Sequence, residues 1–110
     1  MLDWDRVLEL KDEVGEEAFA EVVELFLEEV EEVLTRFRAD GVTETIAEDL
    51  HFLRGSAMNL GFSDVAEICG AGEKSAKSLG IEMVSLQPLF ESYDKSKTML
   101  LSGIDSSFAA

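Results

Sequence analysis

The chain has 110 residues, enough for one domain with a hydrophobic core and too few for two ordinary ones. Apolar residues make up 46% and proline occurs once, a composition that excludes a disordered chain. Nine basic residues against 24 acidic ones give a formal net charge of −15; such a field disfavours nucleic-acid phosphates and anionic lipid surfaces and favours basic partners.

Helical periodicity runs through nearly the whole chain. The opening "LDWDRVLELKDEVG" carries Trp4, Val7, Leu8 and Leu10 at spacings that suit a helix of two to three turns ending at Gly15, read as a lid on a bundle. Phe19, Val22, Val23, Phe26, Val30, Val33, Leu34 and Phe37 then mark one buried face of a long second helix, widened by Leu25 and Leu27. Its many glutamates form a solvated outer face. Gly41 stops it, and Thr43 followed by Glu44 is the expected N-cap of the third helix.

The third helix carries "EDLHFLRGSAMNLGF", with Ile46, Leu50, Leu53, Ala57 and Leu60 as a narrow core-facing seam and Gly61 as its stop. Ser63 or Asp64 is the expected cap of a fourth helix through Val65, Ile68, Cys69, Ala76 and Leu79, whose Gly70 and Gly72 each cost about 1 kcal/mol relative to alanine. A last helix runs through Met83, Leu86, Phe90, Tyr93 and Leu100, with Ser85 as N-cap and Pro88 in the first turn. The expected core spans about 16–102, and the tail 103–110 is expected to fray. No alternating run, repeat or linker divides the chain, so 1–110 reads as a single all-α domain: an antiparallel four-helix bundle with a short extra N-terminal helix.

Single Cys69 has no partner for an internal disulfide and reads as a buried core thiol. No leader and no apolar run near the roughly 20 residues of a membrane span are visible, so a soluble cytoplasmic protein is expected.

His51 is the one histidine of the chain. At about 100° per residue it falls roughly 120–140° from the axis of the apolar seam, on the wet side of the third helix. Its helical neighbours, three and four positions away, are Ala47, Glu48, Arg54 and Gly55. A glycine on an exposed helical face costs stability with no structural return, and Gly55 gains a reason if a partner must approach the ring. Arg54 can donate forked hydrogen bonds to a dianion carried by the imidazole. Ser56 and Asn59 read as bundle contacts or partner rim. Imidazole changes charge near neutral pH, so a ring nitrogen is available as a nucleophile, and a cation with cleared space beside it suits phosphoryl carriage.

Other chemistries fit less well. Glu48 and His51 have the Glu-x-x-His spacing of di-iron bundles, but those sites need a second copy and inward-facing ligands, so no metal site is expected. No nucleophile and orienting acid converge on His51 for hydrolysis. There is no GxxxxGK[ST] loop and no GxGxxG turn, so neither ATP binding nor any resident cofactor is expected, nor autonomous kinase activity.

The run "HFLRGSAMNLG", His51 to Gly61, resembles the signature of histidine-containing phosphotransfer domains, H-x-L-[KR]-G-[SA]-[SA]-x-x-[LIVM]-G. His51, Leu53, Gly55, Ser56, Ala57, Leu60 and Gly61 match, with Arg54 where lysine is more usual. The resemblance implies that His51 is the phosphoacceptor, that Arg54 stabilises phosphate charge and that Gly55 clears space; Ala47, Glu48, Gly55 and Met58 are the expected partner-binding residues around the histidine. It further implies exchange with an aspartate of a response-regulator receiver domain bearing its own Mg²⁺, a sensor or hybrid histidine kinase upstream, and a monomer. The phosphohistidine hairpin of sensor kinases, H-E-[LIF]-R-[TN]-P-L, shares Leu53 and Arg54 but has proline where this chain has Ser56. A helical adaptor that binds receivers or kinases without carrying phosphate stands as the alternative from another functional class.

Overall fold

A computed structural model describes residues 2–107. Its described residues form an all-α bundle of five helices: α1 (Trp4–Val14), α2 (Glu16–Asp40), α3 (Ile46–Leu60), α4 (Ser63–Ser78) and α5 (Gln87–Ser107), with a 3₁₀ turn at Ile81–Met83. The most extensive packing joins α3 to α4, while α2 flanks α3 and α5 flanks α4. No described helix is long and apolar enough to cross a membrane.

The core is built as the periodicity requires. Phe19, Val23, Leu27, Val30, Val33, Leu34 and Phe37 of α2 are buried, and so are Ile46, Leu50, Leu53, Ala57 and Leu60 of α3. Leu25 departs from expectation and stands exposed among the glutamates of the outer face. On α1, Val7 and Leu10 are buried whereas Leu8 is exposed.

Why α1 lies where it does follows from the end of α3. Gly61 adopts φ +76°, and the helix closes in a Schellman motif, with Phe62 N–H donating to Ala57 O at 2.8 Å and Gly61 N–H to Met58 O at 3.3 Å. The freed Gly61 carbonyl accepts from Asp3 N–H at 2.7 Å, and Leu2 bridges to Phe62 in antiparallel fashion. Asp3 then caps α1 through its side chain, accepting from the Asp5 and Arg6 amides. Arg6 Nε donates to the Asn59 carbonyl at 3.2 Å. Trp4 at the other side lies against Gly103 of α5, where a Cβ has no room.

The glycines of α4 answer the objection that they weaken a helix. A Cβ on Gly72 would lie 2.9 Å from Leu50 Cδ1, and one on Gly70 would lie 3.5 Å from Arg54 Cδ and Nε. At Gly72 the missing side chain is what lets Leu50 pack against α4, a return on the helix cost; at Gly70 a Cβ would make only ordinary contact.

Several capping expectations move. The N-cap of α3 is Thr45, not Thr43, and its hydroxyl donates to Asp49 Oδ2 at 2.9 Å. Phe62 occupies the N-cap position of α4, so Ser63 and Asp64 fall inside the helix. Helix α5 starts at Gln87, with Pro88 in the first turn as expected, but Ser85 is too early to cap it. Leu89, absent from the expected apolar face, is buried there. Leu79 and Met83 are 64% and 60% exposed, because α4 ends at Ser78 and the link to α5 follows its own path. Fraying was expected beyond Gly103; α5 continues to Ser107, and 108–110 lie outside the described residues.

Two ion-paired carboxylates tie the helices together. Asp49 of α3 accepts a bidentate pair from Arg36 of α2 at 3.0 and 3.1 Å. Tyr93 OH and Lys97 Nζ of α5 both donate to Glu31 Oε2 of α2. Burial alone would raise the Glu31 pKa, but the hydrogen bonds from Lys97 and Tyr93 and the charges of Lys97 and Arg38 overcome it and hold the carboxyl below its usual range. Hydrogen bonds from Arg36, helped by Thr45, likewise lower Asp49. A folded-state pKa below the unfolded one contributes stability above the unfolded value, about 4, and loses it as pH falls through the folded value. Asp49→Asn is therefore expected to lower stability at pH 7 and to shrink the loss between pH 7 and pH 3, measured by urea denaturation at both pH values.

Candidate functional site

The exposed stripe of α3 is set by the same helical phase that buries its seam. His51, Glu48, Arg54, Gly55 and Met58 are exposed, and Ala47 is half-buried beside them. Phe52 is also exposed and borders the histidine along the chain. Of the two flanking polar residues, Ser56 is buried in the bundle and Asn59 is exposed.

The His51 side chain is 71% exposed, yet one edge of the ring is held. Nδ1 lies 3.3 Å from Glu73 Oε1 and 3.2 Å from Oε2, across the α3–α4 interface. Glu73 is itself only 13% exposed and is held by Lys77 Nζ at 2.9 Å, one turn further along α4. The hydrogen bond from Lys77, with a further one from His51, holds the Glu73 carboxyl below its usual pKa range. An ionised carboxylate only accepts, so Nδ1 must donate. In the neutral ring that tautomer leaves the lone pair on Nε2, which has no partner among the described residues.

Arg54 does not lie against the imidazole. Its Cδ and Nε pack over Gly70, and it lines a depression on α4 with Glu67, Glu73, Lys74 and Lys77. No ion pair joins it to Glu48 or to another described residue. The adjoining depression that His51 lines contains Ala47, Glu48, Glu73 and Lys77. The structure thus brings Ala47, Glu48 and His51 to one hollow, places Arg54 in the next, and leaves Gly55 and Met58 on the outer rim.

Gly55 has open space where its Cβ would be, with nothing within 4 Å. No internal contact requires the missing side chain, in contrast to Gly72.

Glu73 and Lys77 escaped the sequence reading. Their own i, i+4 pairing is visible in the chain, but Glu73 reaches His51 across a separation of 22 residues. That contact depends on the rotation of α4 about its axis, which the glycine-rich face of α4 concealed.

No group of histidine, cysteine, aspartate and glutamate among the described residues is placed to hold a metal ion. No curated protein and no solved structure matches the chain. The family model of the Hpt domain matches residues 21–100, from the first turns of α2 to near the end of α5, and leaves α1 outside. Hpt domains serve histidine phosphotransfer in phosphorelay signalling and interact there with receiver domains and histidine kinases. With an all-α bundle beneath that match, this chain belongs to the Hpt domain family.

Proposed function

We propose that the protein is a monomeric phosphorelay intermediate that accepts a phosphoryl group on Nε2 of His51 and exchanges it with an aspartate of a response-regulator receiver domain. The observation that carries this reading is the exposed imidazole with Nδ1 held by Glu73 and Nε2 unengaged. The Nε2 lone pair attacks phosphorus in line; the N–P bond forms as the P–O bond to aspartate breaks, and the aspartate carboxylate departs with the electron pair. No proton has to move, because Nδ1 keeps its hydrogen while the ring becomes cationic. Glu73, kept ionised by Lys77, faces that new positive charge and stabilises it.

Charge on the transferring group is offset by Arg54, one turn from His51, and by Lys77 beside Glu73. Mg²⁺ bound to the receiver would offset the rest. Ala47, Glu48, Gly55 and Met58 form the surface on which the receiver rests. The chain phosphorylates nothing by itself and depends on a kinase or a phosphorylated receiver for its supply.

Mixing the protein with a receiver domain carrying labelled phosphate on its aspartate should move label to this chain in an acid-labile, base-stable form. Binding without any such label would overturn the proposal in favour of an adaptor. Gly55→Gln separates site from scaffold. Glutamine raises helix propensity by up to about 1 kcal/mol and its Cβ has open space, with nothing within 4 Å, so thermal stability should hold or rise. Transfer should nevertheless slow about tenfold, as a side chain intrudes between two reacting surfaces. Unchanged rapid-quench rates would remove the clearance role.

A further inference from the structure

The cations of this acidic chain divide into paired and unpaired sets. Arg6, Lys11, Arg36, Lys77 and Lys97 each lie against a carboxylate, and Arg38 lies over the Phe90 ring at 4.6 Å. Arg54, Lys74 and Lys95 form no ion pair with a described residue. Two of these three, Arg54 and Lys74, line one depression of about 620 Å³ on α4. With 24 carboxylates in the chain, a lining in which Arg54, Lys74 and Lys77 outnumber two carboxylates, Glu67 and Glu73, runs against the sign of the molecule.

Position gives this hollow a use. Glu67 and Glu73 are the carboxylates that line it, and Glu73 is already held by Lys77. Glu73 and Lys77 also line the His51 hollow, so the two depressions share a wall. Arg54 lies over Gly70 there, its Nε 3.5 Å from where a Cβ would stand. Anything bound to Lys74 and Arg54 is thereby placed beside His51.

We infer that the Arg54 and Lys74 hollow on α4 is the electrostatic docking site for a carboxylate-bearing rim of the receiver domain, with Lys74 as its leading contact. This rests on the phosphotransfer role proposed above. Elsewhere the surface is dominated by carboxylates, including the exposed Glu24, Glu28 and Glu32 of α2, and an acidic rim is repelled. The attraction is confined to one side of His51, so it fixes the orientation in which the partner aspartate meets Nε2. Rim charges of this kind act on association rate and salt dependence more than on the strength of the final complex.

The test uses the intact chain and the receiver, among those of the same genome, that takes its phosphoryl group fastest. His51 of the wild-type chain is first loaded with phosphoramidate, a small donor that needs no docking. Transfer is then timed at about 0.01 M and 0.15 M salt, which span Debye lengths of about 30 and 8 Å. Lys74→Glu should slow transfer about tenfold at low salt and by much less at the higher salt, within the range of electrostatic steering. Lys95→Glu makes the same change of net charge on α5 and should slow transfer less than about twofold. Equal effects of the two variants, or an unaffected Lys74→Glu, would overturn the docking site while leaving phosphotransfer intact. Failure of phosphoramidate to label His51 in the wild-type chain would instead remove the phosphotransfer reading on which the docking site stands.

Discussion

His51→Gln is expected to reduce phosphoryl transfer by about 10³-fold or more, to the background of the assay, with the fold unchanged. The size follows from what is removed. Glutamine keeps length and polarity but has an amide where the ring has a nucleophilic nitrogen, so no N–P bond can form. Structural cost is small because the side chain is mostly exposed and its contact to Glu73 is its one hydrogen bond among the described residues. The checks are a phosphorylated-receiver assay beside a thermal melt. Transfer within tenfold of wild type, at a matching melting temperature, would mean that another residue accepts the group.

Leu50→Ala is expected to cost about 3–4 kcal/mol, since Leu50 is 2% exposed and truncation of a buried leucine leaves a cavity as well as losing transfer energy. The site makes collapse difficult. Leu50 Cδ1 fills the space above Gly72, 2.9 Å from where a Cβ would stand, and glycine offers no side chain that could move into the void. For a domain of about this size each kcal/mol lowers the melting temperature by several degrees, so a fall of about 15 °C is expected. Loss of less than about 1 kcal/mol in urea titration would show that the helices close over the gap. Because the same pair of helices brings Glu73 to His51, this variant should also loosen the ring at temperatures well below its melt.

How much of this was legible in the sequence depended on the kind of contact. Long amphipathic runs specify their buried faces redundantly, so α2 and α3 appear with the expected cores, and the phase of α3 alone put His51 on the wet side. Short signals misled where a neighbour outweighed them. Thr43, Ser63 and Ser85 are good capping residues, but the helix starts are fixed by Thr45 binding Asp49, by Phe62 closing the Schellman motif, and by the path into Gln87. Leu79 fitted a seam extrapolated past the end of α4, and Met83 one extrapolated ahead of the start of α5. The pattern that resembles a phosphotransfer signature covered α3 and missed Glu73, Lys74 and Lys77, because no periodicity within one helix reports how the next is rotated. Glycines illustrate the same limit: Gly55, Gly70 and Gly72 are alike in sequence, and only packing shows that two receive a side chain while one leaves open space.

Cys69 is fully buried on α4, and burial pushes its thiol pKa up to about 12. At neutral pH almost no thiolate exists to attack an electrophile or a disulfide. Signalling by this protein is thereby insulated from oxidants that act through cysteine. The same inertness has an experimental benefit: a cysteine introduced on the exposed rim at Met58 can be labelled selectively with a maleimide dye while the native thiol stays unmodified, so the approach of a receiver can be followed by fluorescence in the otherwise natural sequence.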